Sequence, residues 1–215
     1  MVFIDGNNFY HDWKQVMGDS NPDIQRFVDL TVHKKENRIL KRIFYYNAPI
    51  DRVENPLGAE SQQRFFTALG NIPRLNKVLG RLERRSIRIG SSGYTITCNH
   101  CGKLVEAEVH THTEKGSDIN LAIDMLIQAY NDNYDIALLV SRDSDFVRAI
   151  QEVRRHGQDV ELVVLAGLGS RELREAADDQ IILGREECLN CAVDPARRYA
   201  GTESQHVLEP HDALD

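Results

Sequence analysis

Residues 136–165 read IALLVSRDSDFVRAIQEVRRHGQDVELVVL, and the fold turns on this stretch. IALLV is wholly apolar and branched, as a strand buried on both faces must be. It ends in the polar run from Ser141 to Asp145. From about Asp145 to His156, Val147, Ile150 and Val153 recur at helical spacing, and Gly157 closes the helix. VELVVL then supplies another apolar strand. A strand, a helix and a strand in one run require a crossover connection, hence parallel strands with helices packed on the sheet.

The same alternation continues on both sides. Downstream, SRELREAADD reads as a helix and IIL as a last short strand. Upstream, Ser117 is placed to cap a helix in which Ile119, Ala122, Ile123, Leu126, Ile127 and Tyr130 form an apolar stripe. At the start, VFI is a buried strand running through Asp5 and Gly6 into a polar loop. Residues 21–35 form an amphipathic helix on Ile24, Phe27, Val28 and Val32, and RILKRIFYYNAPI at 38–50 a strand. A helical region is expected over 59–85, carrying Phe65, Phe66, Leu69, Leu75, Val78, Leu79 and Leu82 and broken near Gly70 and Pro73. Residues 86–113 differ: YTIT and LVEAEV frame CNHCGK as the arms and tip of an inserted β-ribbon. The expected architecture is Rossmann-like, a three-layer α/β/α domain with a mostly parallel central sheet over residues 1–194. A loose acidic tail follows at 195–215, with Glu203, Glu209, Asp212 and Asp215 and no apolar periodicity.

Composition agrees with one such domain: 215 residues, 41% hydrophobic and 27% charged. Lys and Arg number 26 against 33 Asp and Glu, a net charge of −7, which argues against coating nucleic acid through bulk charge but leaves local basic patches open. No apolar run approaches the roughly 20 residues of a membrane span. MVFIDGNN has no basic segment followed by an apolar run, so a cytoplasmic setting with reduced thiols is expected.

In an open parallel sheet the loops after the strand carboxyl ends converge on one edge, where sites are generally found. Asp5 ends the first strand, and Asp143 with Asp145 follow IALLV, so these carboxylates should share a crevice. Asp118 opens the next helix, and Asp124 lies about 240° further round it, so at most one of the two is expected innermost. Carboxylates gathered without matching arginines repel one another, and a hard cation such as Mg²⁺ or Mn²⁺ relieves that repulsion. Taken singly, each has a bland role as turn residue, dipole partner or cap; their joint placement favours chemistry. Neither the Gly-x-Gly-x-x-Gly of a dinucleotide fold nor the Gly-Lys-Ser/Thr of a phosphate loop is present.

VFIDGNNFY, EKGSDINLAIDM, ALLVSRDSDFVRAIQEVRRHGQDVELV and SRELREAAD together resemble the NYN domain, of the DUF88 or LabA-like branch, over about residues 1–183. The resemblance implies a PIN-like fold and metal-dependent ribonuclease activity. It implies Asp5 as first acid with Asn8 as polar partner and Asn7 beside it, Asp118 and Asp124 from the acidic helix, and Asp143, Ser144 and Asp145 from the strand end. The metal ligands would come from Asp5, Asp118, Asp124 and Asp143. Which helix aspartate ligates stays open. Arg142 stands where the family more often has glycine.

Cys98-x-x-Cys101-Gly-Lys has the shape of a zinc knuckle, and Cys188-x-x-Cys191 repeats the spacing. One structural zinc held by all four is expected, which would need the late segment to return to the hairpin tip; help from His100, His110 or His112, and free thiols, are the alternatives. A redox role is disfavoured because neither pair starts a helix after a strand. Basic residues cluster at Lys34, Lys35, Arg38, Lys41 and Arg42, and again at Arg74, Lys77, Arg81, Arg84, Arg85 and Arg88. The second set, with Lys115, is the candidate phosphate-gripping wall, a solvated face being the alternative. Tyr94 and Phe9 are candidates to stack on unpaired bases or to pack. The expected activity is endonucleolytic cleavage of single-stranded RNA. The alternatives are a non-cutting RNA- or protein-binding module and a DNA nuclease of the same architecture, and a homo-oligomer is compatible with each.

Overall fold

The computed structural model describes residues 1–89, 96–105 and 107–193, the side chains at 84, 85, 87–89, 105 and 107–114 excepted. The expected tail from 195, Tyr94, and the side chains of Arg84, Arg85, Arg88, His110 and His112 lie outside the described residues.

Val2–Asp5 (β1) leads straight into helix Gly6–Met17 (α1). Helix Ile24–His33 (α2), strand Ile43–Asn47 (β2), helix Pro56–Leu69 (α3) and strand Leu75–Leu79 (β3) follow. Next come the ribbon strands Arg81–Ile89 (β4), Ile96–Thr97 (β5), Leu104–Val105 (β6) and Ala107–Lys115 (β7). Helix Ser117–Tyr130 (α4), strand Ile136–Val140 (β8), a 3₁₀ turn Ser144–Phe146, helix Val147–His156 (α5) and strand Asp159–Leu165 (β9) then lead to helix Arg171–Ala176 (α6), strand Asp179–Leu183 (β10) and helix Arg185–Asn190 (α7).

Six strands form one sheet in the order β10-β9-β8-β1-β2-β3, with every pairing parallel. Alternate residues of each inner strand point to opposite faces, so two cores form. Val2, Ile4, Tyr45 and Val140 meet Trp13 of α1 and Phe27 of α2 on one side. Phe3, Phe44, Tyr46 and Leu139 meet Leu121 and Met125 of α4 and Ile150 of α5 on the other. The three-layer α/β/α arrangement with a parallel sheet is therefore present.

Several expectations change. Residues 75–85 are not helical. Pro73 lacks an N–H, Arg74 turns the chain at φ 64°, and Leu75–Leu79 pairs with β2 from Ile43↔Leu75 to Asn47↔Leu79. Leu75 packs on one core and Val78 on the other, since an odd separation in a strand reaches opposite faces; in the sequence the same separation mimics a helix. The ribbon is longer than 86–113, because β4 and β7 pair from Arg81↔Lys115 to Ile89↔Ala107. On α4 the buried face is Ser117, Leu121, Met125 and Ala129, while Ile119, Ile123, Ile127 and Tyr130 of the expected stripe are exposed. Gly116, not Ser117, is the residue before the first turn. Phe9 lies in the core against Trp13 and Phe27 and offers no stacking face.

Three members of the first basic cluster, Lys34, Lys35 and Arg38, are structural. Lys35 and Arg38 both reach the buried Glu161 of β9, at 2.8 and 2.6 Å, and Lys35 also reaches Asp179 of β10 at 2.6 Å; Lys34 pairs with Glu187. This clamp sits at the amino ends of β9 and β10, away from the carboxyl edge. No described helix is long and apolar enough to cross a membrane.

Candidate active site

The end of β1 and the start of α1 share one residue's side chain. Asp5, 4% exposed, caps α1 by accepting from the Asn8 backbone N–H at 3.1 Å, and its other oxygen accepts from the Asn8 amide. That oxygen also accepts from Ser141 Oγ at 2.9 Å, across the β1/β8 pair. The Asp143 N–H donates to the same Ser141 Oγ at 3.1 Å, and Asp143 in turn caps the 3₁₀ turn, accepting from the Asp145 N–H at 3.0 Å. Asp5, Ser141, Asp143 and Asp145 are thus wired in series along the carboxyl edge.

Asp5 lies beside Tyr46 in the β1/β2 register. The Tyr46 hydroxyl donates to Asp124 at 3.0 Å, and burial together with the Asp124 carboxylate holds that phenol far above its ordinary range, so it stays a donor. This ties Asp124 to the same edge. Asp118 takes a different position. With Asp145, Phe146, Gly80, Arg81 and Lys115 it lines a groove of about 840 Å³ between the root of the ribbon and the turn after β8. Asp118 thus faces the groove beside Asp145, and Asp124 is held through Tyr46.

Among the described residues no ion pair joins Asp5, Asp124, Asp143 or Asp145 to a cation, and no three or more His, Cys, Asp or Glu form a ready metal shell. An oxygen-rich, uncompensated carboxylate set of this kind suits Mg²⁺ or Mn²⁺.

Two participants have no role assigned by the sequence reading. Asp12, 7% exposed, pairs with Arg142 at 3.2 Å. Burial raises its carboxyl above the ordinary range, with Arg142 opposing and Asp5 reinforcing the shift. The signal was there: Phe9, Asp12, Trp13 and Val16 are spaced as one helix face, and Asp5 followed by Asn8 is a capping pattern, but the helix begins with no intervening loop. Ser141 is the other, its hydroxyl bridging two acids that the sequence separates by more than a hundred positions.

The expected cation wall is divided. Arg74 donates to Leu40 O at 2.8 Å and Lys77 to Phe66 O at 3.1 Å, while Arg81 and the Glu83-paired Lys115 line the groove. Arg81, Arg84, Arg85 and Arg88 lie on strand β4 rather than on a helix.

The four cysteines do not converge. Cys188 and Cys191 are in the core at 0% and 1% exposure, next to α1, and burial pushes both thiols up to about 11, which suits neither redox nor metal chemistry. α7 opens directly after β10, but Cys188 is its fourth residue and Cys191 caps its end, so the pair does not start the helix, and its burial adds to the case against a redox role. Cys98 and Cys101 occupy the hairpin tip, where β5 and β6 pair through Ile96↔Val105 and Thr97↔Leu104. The single four-cysteine zinc is therefore not formed within the chain.

The fold is an open parallel sheet flanked by helices, with Asp5, Asp143 and Asp145 along its carboxyl edge. The model of the NYN domain family matches residues 1–184, and the chain belongs to that family, within the PIN-like nuclease superfamily whose domains act on nucleic acid and typically use divalent metals. Among solved structures it is similar to a protein of unknown function from Vibrio parahaemolyticus, at 18% identity and a TM-score of 0.55, covering 89% of this chain and 94% of that one. That likeness concerns the fold alone. No curated protein matches the chain.

Proposed function

We propose that this chain is a metal-dependent endoribonuclease acting on single-stranded RNA. The observation that carries the reading is the Asp5–Ser141–Asp143 series across β1 and β8, with Asp124 held nearby through Tyr46 and, among the described residues, no cation paired with these acids. Asp5, Asp143 and one of Asp118 and Asp124 would hold Mg²⁺ or Mn²⁺. When bound, the ion supplies a Lewis acid that activates water and offsets charge building on the phosphodiester. Asn8 and Ser141 fix the direction of the Asp5 carboxylate, and Asp145 braces the turn that presents Asp143. Arg81, in the groove that runs toward Asp118 and Asp145, is placed to receive backbone phosphates. A single strand follows such a groove with its bases free, which is why unpaired RNA is the preferred substrate class.

The test is cleavage of matched RNA and DNA oligonucleotides, single- and double-stranded, with Mn²⁺, by wild type and Asp143→Asn purified free of other nucleases. Loss of cleavage in the variant supports the reading. Activity surviving in the variant removes the site, and faster cleavage of DNA removes the substrate class. A non-cutting binding module is favoured by the fact that both Asp5 oxygens already accept hydrogen bonds from Asn8 and Ser141. Retained RNA binding with no Mn²⁺ uptake by calorimetry would establish it.

A further inference from the structure

The hairpin tip is a built half of a metal site. Cys98 N–H donates to Lys103 O and Gly102 N–H to Cys98 O, each at 2.8 Å, which closes a tight turn. The backbone N–H groups of His100 and Cys101 also bond to the Cys98 sulfur. Gly102 lies in the left-handed region at φ 69°, where a side chain would be strained. Both thiols are thereby presented from one turn, with Cys101 exposed and Cys98 partly so. This is the arrangement in which a Cys-x-x-Cys turn supplies two of the four thiolates that tetrahedral zinc requires.

The other half does not come from the pair the spacing suggested. Cys188 and Cys191 are packed in the domain core, and among the described residues no third His, Cys, Asp or Glu joins the tip. The tip ends a long arm: β4 and β7 pair over nine positions, roughly 30 Å at strand rise, before the hairpin. Apolar side chains flank it without cover, Ile96 at 51% and Leu104 at 62% exposure. A two-fold pairing of one tip with the same tip of a second copy covers such a surface and brings two further thiolates. Four thiolates on one Zn²⁺ leave two negative charges, and each hairpin carries its own Lys103 beside the turn.

We infer that Cys98 and Cys101 of two copies of this chain bind one Zn²⁺ between them, so that the ribbon tips form a zinc-linked homodimer. The site is independent of the aspartate edge and stands whether or not the nuclease reading holds.

The experiment uses untagged full-length chain kept reduced. Zinc per chain is measured by elemental analysis, and molar mass by light scattering, before and after a strong chelator. One zinc per two chains is expected, with a mass twice the 24.5 kDa of the chain that falls to 24.5 kDa on chelation. Cys98→Ser/Cys101→Ser should lose both zinc and dimer while keeping the thermal unfolding of the domain, since the tip lies outside both cores. Cobalt in place of zinc should give the absorption of a tetrahedral tetrathiolate, which reads the ligand set without touching the buried pair. One metal per monomeric chain would overturn sharing, with a histidine of the same chain completing the site. Absence of zinc from reduced protein, or a dimer that survives chelation, overturns the proposal as well.

Discussion

A single hydroxyl holds the acidic edge together. Ser141 donates to Asp5 and accepts from the Asp143 backbone, so it sets the distance between residues on two different strands. Ser141→Ala should leave the fold intact at a cost of about 1 kcal/mol. Mn²⁺ affinity, followed by calorimetry, should weaken by roughly 10- to 100-fold, the usual effect of removing a group that orients a ligand. Unchanged affinity would show that Ser141 only packs. Asp12 and Arg142 teach a related lesson. An arginine that looks out of place beside an acidic loop has a buried carboxylate opposite it, and neither residue explains itself without the other.

At the level of elements, the root of the ribbon and the Glu161 clamp make separate predictions. A methyl group added at Gly80 would meet Lys115 O at 2.8 Å and Ser117 N at 3.1 Å, so Gly80→Ala must move the backbone that starts α4 and carries Asp118. Overpacking of this kind costs about 1–3 kcal/mol. If the groove is where RNA lies, nuclease assays on the variant should show KM rising more than the small loss of melting temperature accounts for.

The clamp predicts a pH effect. Burial alone would raise Glu161, but hydrogen bonds and charge from Arg38 and Lys35 outweigh it and leave the carboxyl below its ordinary value; Lys35 and the peptide N–H of Gln180 do the same for Asp179. A carboxyl depressed in the folded state contributes stability above its unfolded pKa and loses it as pH falls through the folded one. Denaturant titrations should therefore show stability dropping on the acid side of the ordinary carboxylate range. Glu161→Gln should flatten that drop and cost about 3 kcal/mol at neutral pH, because the largely covered Arg38 loses its charged partner.

Much of the element pattern was legible in advance, for a physical reason. β8, α5 and β9 follow from apolar runs, helical spacing and Gly157 because those residues are buried by their own neighbours on both faces of the sheet. The edge of the sheet was less legible. β3 is a strand because β2 offers it a parallel partner, and no local propensity announces that pairing. α4 carries two apolar series four residues apart, and only the approach of Leu121, Met125 and Ala129 to the sheet decides which one is inward.

For the whole molecule, cation binding should be visible as stability. A divalent ion that binds only the folded state at a hundred times its Kd adds about 2.7 kcal/mol. Mn²⁺ should therefore raise the melting temperature of wild type, and Asp5→Asn, which keeps a capping side chain at the start of α1, should abolish the rise without unfolding the protein. An equal rise in the variant would place the ion elsewhere.

What the sequence determined by itself was the class of fold and the position of Asp5 and Asp143 at the carboxyl edge of the sheet. Those follow from short-range pattern and from the rule that parallel strands open their loops on one side. Tertiary structure alone decided that Ser141 joins the two acids, that Asp12 answers Arg142, that Asp124 reaches the edge through Tyr46, and that Cys188 and Cys191 belong to the core rather than to a metal. Each is a contact between residues far apart in the chain, and such contacts depend on how layers stack, which no local spacing encodes.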